Sequence, residues 1–247
     1  MRFLKPIGEY VIFMGRVISR PEKGRIYYKQ ILNEIDTLGV YSIGIVIIIS
    51  VFMGAVITLQ TRYNLENPLI PTYLIGLTAR DTMLLEFSST IVGLILAGKV
   101  GSNIASEIGH MRITEQIDAL EIMGVNSASY LVQPKVIAAV IFNPILTLIS
   151  MFVGIFGGWL ASVATGALTS TDYIYGIQYW FVPFYVTYSL VKTVVYAIII
   201  TTVPAFFGYY VKGGALEVGR ASTKGVVTSS ILILLFDVIL TQLLLAK

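Results

Sequence analysis

Two stretches of the chain come close to a phosphate-binding loop, and neither has all the residues that such a loop needs. The pattern GxxxxGK[ST] places backbone amides and a lysine on the phosphates and a hydroxyl on Mg²⁺. Residues 93–100 read GLILAGKV, with Val100 where Ser or Thr is needed, and residues 214–221 read GALEVGRA, with Arg220 in place of the lysine. The first stretch also lies in an apolar helix. The sequence therefore predicts that this chain does not hydrolyse ATP.

Other catalytic residue types are scarce. The chain has no cysteine and one histidine, His110, which excludes disulfides, thiolate sites and multi-histidine metal sites. HExxH and GxSxG patterns are also missing. We interpret His110 as a solvated loop residue and expect no cofactor or metal in this chain. Glu86 and Asp237 could act as acid and base, so an intramembrane lipid-modifying enzyme remains an alternative.

The composition is typical of a membrane protein. Apolar residues make up 56% of the chain and charged residues 13%, about half of the roughly 25% in soluble domains. Long uncharged runs predict an all-α integral membrane protein with an N-terminal interfacial helix at about 8–20 and five spans. The spans are predicted at about 38–60, 73–98, 136–161, 180–210 and 225–245. A small-residue outer loop is expected between spans three and four.

Lysine and arginine residues predict the orientation, because cytoplasmic segments collect them. Thirteen of the 17 lie before span one, between spans two and three, or between spans four and five. The N-terminus is therefore predicted to be cytoplasmic and the C-terminus periplasmic. A basic face in a soluble module, which nucleic-acid binding would need, is not present.

Three charged residues fall inside the predicted spans: Glu86, Lys192 and Asp237. A charge at mid-bilayer costs about 2.5 to 3.5 kcal/mol, so such groups usually pair or line a cavity. Their positions predict one band in the middle to outer half of the membrane and a compact polar network. The network is either a structural clamp or a gate for a lipid cavity.

The loop between spans two and three has a helical pattern. Small residues recur every four positions at Ala97, Gly101, Ala105 and Gly109, which predicts a stripe for close helix packing. Thr114 is expected to cap a second helix over about 114–123. This short amphipathic helix either caps the bundle or docks into a soluble partner.

The loop resembles the signature of the MlaE-type permeases, the membrane subunits of ABC transporters that act on phospholipids with MCE-domain proteins. It reads AGKVGSNIASEIGHMRITEQIDALEIMGV over residues 97–125. The resemblance continues in colinear order through RPEKGRIYYKQILNEIDTLGV, VFMGAVITLQ, LVKTVVYAI, GRASTKGVVTSS and FDVILT. It implies the same five-span fold, with the loop helix as a cytoplasmic coupling helix that docks into the ATPase.

The resemblance also implies partners. These are a second copy of the chain, a cytoplasmic ABC ATPase that holds ATP and Mg²⁺, a periplasmic MCE-domain lipid-binding protein, a small STAS-type cytoplasmic protein, and phospholipid. It implies a location in the bacterial inner membrane and a role in outer-membrane lipid asymmetry. A non-transporting scaffold for the ATPase is the other alternative.

Two sets of site residues follow from the resemblance. The ATPase-coupling set is Glu107, Arg112, Thr114, Glu115, Gln116, Leu120 and Met123. The lipid-binding set is Leu59, Gln60, Leu65 and Leu69, at the outer end of span one and in the segment after it. The alternative is that these are ordinary lipid-facing or packing positions. The chain departs from the family at Leu85 and Phe87, because members commonly have an arginine before Glu86 and a proline shortly after it. The headgroup preference of the family is therefore not carried over.

Overall fold

The computed structural model describes residues 4–19, 24–65 and 70–245, and every regular element in these ranges is a helix. The all-α membrane fold expected from the sequence is confirmed. The helices are α1 (Leu4–Ile18), α2 (Gly24–Glu34), α3 (Tyr41–Asn64), α4 (Tyr73–Thr82), α5 (Val92–Leu96), α6 (Ser102–Ile113), α7 (Gln116–Ile122), α8 (Ser127–Thr165), α9 (Ser170–Gln178), α10 (Phe184–Tyr209) and α11 (Ala215–Leu245). Short π-helical segments, Ile35–Val40, Met83–Ile91 and Ala97–Gly101, join α2 to α3 and α4 through α5 to α6.

Five continuous helices are long and apolar enough to cross a membrane: Tyr27–Asn64, Tyr73–Ile113, Ser127–Thr165, Phe184–Tyr209 and Ala215–Leu245. The first three have 38, 41 and 39 residues, about twice the 20 or so that a bilayer needs. They exceed the predicted bounds because helical hydrogen bonding continues past the ends of the uncharged runs. The prediction of a loop between spans three and four is wrong in part, since α9 forms there with Thr169 as its N-cap.

The helices group into two compact units. The first comprises Met1–Tyr41, Gly93–Phe142 and Val195–Leu243. Here α1 packs on α10 through Phe13, which is fully buried, and its ring lies 5.2 Å from that of Tyr209. Val11 and Ile12 of α1 are about 60% exposed, and the place of this helix in the lipid interface stays a prediction.

The predicted small-residue stripe is confirmed within the first unit. Ala97 and Ala105 are fully buried. A Cβ atom on Gly208 of α10 would lie 2.6 Å from the carbonyl oxygen of Ala105, so these two helices contact each other through their backbones. A Cβ atom on Gly101 would lie 3.0 Å from the ring of Pro204, so this glycine also allows a close approach. Small residues at this spacing therefore allow α10 to pack closely on the helix that leaves span two.

The second unit comprises Ser42–Val92, Asn143–Val194 and Leu244–Lys247. Its helices α3 and α8 also meet at glycines, because a Cβ atom on Gly54 would lie 1.8 Å from the carbonyl oxygen of Gly154. Ser50 donates a hydrogen bond of 2.8 Å to Ser150 one turn away. Helix α9 packs on α4 where buried Tyr173 contacts Ile75, and the hydroxyl of Tyr173 donates to the carbonyl of Ile155 on α8. Burial raises the pKa of this tyrosine.

Candidate functional site

The loop helix α7 is shorter than predicted and begins differently. Thr114 does not cap it: this residue ends α6, and its hydroxyl donates to the carbonyl of His110 at 2.8 Å. The N-cap position belongs to Glu115, whose φ of 59° is left-handed and breaks the helix between α6 and α7. The prediction of Thr114 as a cap was wrong because α6 continues to Ile113, so the i−4 carbonyl engages the threonine hydroxyl.

The end of α7 follows the expected pattern. Gly124 has a φ of 77°, its amide donates to the carbonyl of Glu121, and the amide of Val125 donates to that of Leu120. This is the glycine-terminated cap that satisfies the last helical carbonyls. On α7 itself, Ile117 is fully buried and anchors the helix.

The predicted coupling residues fall into exposed and internally bonded groups. Met123 is 68% exposed, Leu120 is half-buried, and Glu115 and Gln116 are exposed. Arg112 instead forms a 2.6 Å ion pair with Asp118, and Glu107 forms one of 2.8 Å with Lys135. Ile122 was not singled out from the sequence, yet its 87% exposure makes it the most exposed apolar residue of α7.

A hydrogen-bonded cluster ties α7 to the end of span four. The carboxylate of Glu121 accepts a hydrogen bond of 2.8 Å from Tyr209 and one of 3.0 Å from Ser127. The bond from Tyr209 lowers the pKa of this carboxyl group below its usual value. The guanidinium of Arg112 also lies 6.0 Å from the centre of the Tyr209 ring. Sequence reasoning missed this cluster because Tyr209 is 88 positions from Glu121.

Asn126 connects the end of the loop to the C-terminal end of α1. Its side-chain amide donates to the carbonyls of Arg16 and Ser19 at 2.9 and 2.8 Å. The segment that follows α7 is therefore fixed to α1 as well as to α10. A displacement of α7 would act on both helices.

Two of the three predicted intramembrane charges form an ion pair in the second unit. Lys192 is fully buried and donates to Glu86 at 3.0 Å and to the hydroxyl of Tyr188 at 3.0 Å. The Glu86 side chain is 41% exposed and lies in the π-helical segment Met83–Ile91. Such segments often occur at functional positions, because the extra residue redirects a side chain.

Asp237 lies in the first unit, where it accepts a hydrogen bond of 2.6 Å from Tyr196. Its carboxylate is thus held by a hydroxyl inside the span. The proposal that Asp237 completes one network with Glu86 and Lys192 stays a prediction.

Span two also contains the charged residues Arg80 and Asp81. The side chain of Arg80 forms hydrogen bonds at the end of α9. This side chain is 2% exposed, and it donates to the carbonyls of Ile177 and Tyr179 at 2.6 and 2.9 Å. It also forms a 2.7 Å ion pair with Asp81. The guanidinium therefore satisfies the terminal carbonyls of a helix, and these contacts do not leave it available as a replacement for the arginine that the family has before Glu86.

The predicted lipid-binding residues differ in how exposed they are. Gln60 is exposed and Leu59 is half-buried, whereas Leu65 packs against the buried cluster of Ile75, Leu168 and Tyr173. Leu69 lies outside the described residues. Among residues 4–19, 24–65 and 70–245, no three histidine, aspartate or glutamate side chains are placed to hold a metal ion.

Comparisons with known proteins agree with this architecture. A family model described as permease MlaE matches residues 31–243. A probable ABC transporter permease of Rickettsia bellii is 37% identical over 98% of this chain and 93% of its own length. The intermembrane phospholipid transport system permease protein MlaE of Haemophilus influenzae is 29% identical over 98% of this chain and 93% of its own. The chloroplastic protein trigalactosyldiacylglycerol 1 of Arabidopsis thaliana is 31% identical, over 94% of this chain and 66% of its own length.

Proposed function

The chain belongs to the MlaE permease family, and from this membership we propose that it moves phospholipid between the inner membrane and a periplasmic MCE-domain protein. It is a multi-pass ABC transporter permease. Energy would come from a separate cytoplasmic ATPase that holds ATP and Mg²⁺, since the permease sequence has no complete phosphate-binding loop.

The observation that supports this mechanism is the placement of α7. Its exposed apolar end, Ile122 and Met123, is free to enter a groove on a soluble partner, while Glu121 connects the same helix to Tyr209 at the end of span four. An amphipathic helix that inserts its apolar face into a groove is a common mode of recognition. ATPase closure would then displace α7 and, through Tyr209, the spans.

The remaining partners are part of the same proposal. Only 11% of an apolar 18-residue stretch of the α11 span is buried, and Ile231, Leu235 and Val238 form an exposed apolar face that a second copy would cover in part. The periplasmic MCE-domain protein would exchange lipid with this dimer, and a small STAS-type protein would bind the ATPase. The Haemophilus relative is named for intermembrane phospholipid transport, and we extend the proposal to a role in outer-membrane lipid asymmetry.

Substitution of Ile122 by Asp tests the docking of α7. Because this side chain is 87% exposed, the change should leave the fold intact and abolish co-purification with the ATPase. Leu216→Asp is the matched control, since Leu216 is 71% exposed in the first turn of α11. Undiminished ATPase binding by Ile122→Asp, together with unchanged lipid transport, would contradict the proposal.

A further inference from the structure

A cavity of about 620 Å³ with both polar and apolar walls lies in the first unit, and none of its lining residues belongs to α7. It is lined by α2, α6 and α8. At its wall, Lys135 is 3% exposed and forms ion pairs of 2.6 Å with Glu34 and 2.8 Å with Glu107. With both carboxylates ionised, this triad carries one net negative charge. The Glu107 side chain is 44% exposed and lines the cavity, so its carboxylate can accept a hydrogen bond from a further cation there.

A second feature of the same cavity also calls for a hydrogen-bond donor. The side-chain oxygen of Gln30 is buried and has no donor among the described residues, and Gln30 lines the cavity. A buried acceptor without a donor costs about 1 to 3 kcal/mol. A ligand with N–H groups would remove this cost and neutralise the triad together.

The rim of the cavity has the opposite charge. Lys29 lines it and is exposed, so its ammonium is placed to attract an anion. Met111 and Leu131 add apolar surface. The cavity thus offers carboxylates and an amide oxygen for an ammonium group, a lysine for an anion, and apolar walls for a hydrocarbon portion.

The position of the cavity along the chain identifies the level of the membrane. Lys135 immediately precedes the uncharged run 136–171, and Glu34 lies four residues before the uncharged run 38–60. Charged residues at the ends of apolar runs lie at the lipid headgroups. A zwitterion with adjacent ammonium and phosphate groups at this level is an aminophospholipid.

We propose that this cavity binds the phosphoethanolamine headgroup of a membrane lipid, with the ammonium at Glu107 and Gln30 and the phosphate at Lys29. The site requires only that the chain lies in a membrane, so it does not depend on the transport proposal. A primary ammonium can donate three hydrogen bonds, whereas the quaternary ammonium of a choline headgroup donates none.

Native mass spectrometry of the full-length protein tests the site. The protein is mixed with equal amounts of dioleoyl phosphatidylethanolamine and dioleoyl phosphatidylcholine, which share chains and phosphate and differ in N–H donors. We expect the wild type to retain the ethanolamine lipid about tenfold better, the effect of one charge-assisted hydrogen bond. Glu107→Gln and Gln30→Leu should each remove most of this preference. The triad keeps its Lys135–Glu34 pair in the first variant, so the fold should survive.

Glu217→Gln serves as the control, because Glu217 pairs with Arg220 on the surface of the same unit and does not line the cavity. It should retain the wild-type preference. Equal retention of the two lipids by the wild type would overturn the site and would suit a cavity filled by a partner's cationic side chain instead. A preference that persists in Glu107→Gln would place lipid selection elsewhere, such as on the transport path, and would also overturn the site.

Discussion

The carboxylate of Glu121 gives α7 a connection to α10 that responds to charge. It accepts two hydrogen bonds, from Tyr209 and Ser127, and the pKa of the carboxyl group is lowered because the ionised form is the better acceptor. A group with a lowered pKa in the folded state stabilises that state above its ordinary pKa. The stabilisation is lost as the pH falls through the lowered pKa.

The lowered pKa of Glu121 predicts that acid weakens the attachment of α7 to α10. Protection of the α7 amides against hydrogen exchange should be complete at neutral pH and fall below a pH of about 4.3, the ordinary glutamate pKa. The fall should be only about threefold, because the carboxylate is exposed. In Glu121→Gln, protection corrected for the intrinsic exchange rate should be lower at neutral pH and should not change over this range. An identical acid response in the variant would assign the effect to another group.

The second prediction at this scale is that the ion pair of Lys192 and Glu86 is a structural clamp, which stabilises the fold. Lys192→Met leaves the carboxylate of Glu86 inside the span without its cation, and a charge at mid-bilayer costs about 2.5 to 3.5 kcal/mol. We expect loss of the monodisperse protein in size-exclusion chromatography and its partial recovery in Lys192→Met with Glu86→Gln. If the single variant stays folded while ATP turnover in the complex becomes uncoupled from lipid transport, the pair is a gate instead.

At the scale of elements, glycines set the distances between helices. Gly54 and Gly44 lie on the same helix α3, but a Cβ atom on Gly54 meets the carbonyl oxygen of Gly154 at 1.8 Å, whereas a Cβ atom on Gly44 meets nothing within 4 Å. Substitutions at the two positions therefore distinguish the effect of helix propensity from the effect of helix packing.

Alanine at each position should have opposite effects. Gly54→Ala must push α3 and α8 apart and should lower the thermal stability of the purified protein strongly. Gly44→Ala should leave it unchanged or raise the free energy of unfolding by up to about 1 kcal/mol through helix propensity. Comparable thermal stability for the two variants would mean that α3 and α8 are not in backbone contact.

The sequence predicted those elements whose signals are local. The four-residue recurrence of small residues from Ala97 predicted a packed stripe, and Gly124 predicted the end of α7. Thr114 shows what local signals do not predict. Whether this residue caps α7 depends on where α6 ends, and packing sets that end. Local sequence patterns do not predict contacts between distant segments. Such contacts are the hydrogen bond of Tyr209 to Glu121 and the ion pairs of Lys135 with Glu34 and Glu107.

At the scale of the whole molecule, the distribution of cations predicts the membrane topology. The chain has no cysteine, so single cysteines can report it without further changes. Ser106 on α6 and Thr171 on α9 are both exposed. We expect a membrane-impermeant maleimide to label Thr171→Cys on intact spheroplasts and Ser106→Cys only after permeabilisation. The reverse pattern would invert the proposed orientation and would place α7 on the wrong side for a cytoplasmic ATPase.

The central claim is that this permease converts the work of a separate ATPase into movement of phospholipid, through α7. Its most direct test is the ATP-dependent transfer of labelled phospholipid between proteoliposomes containing the complete complex and the purified MCE-domain partner. We predict transfer that requires ATP, is lost in Ile122→Asp and is retained in Leu216→Asp. ATP hydrolysis without any lipid transfer, or transfer at the same rate in Ile122→Asp, would contradict the account.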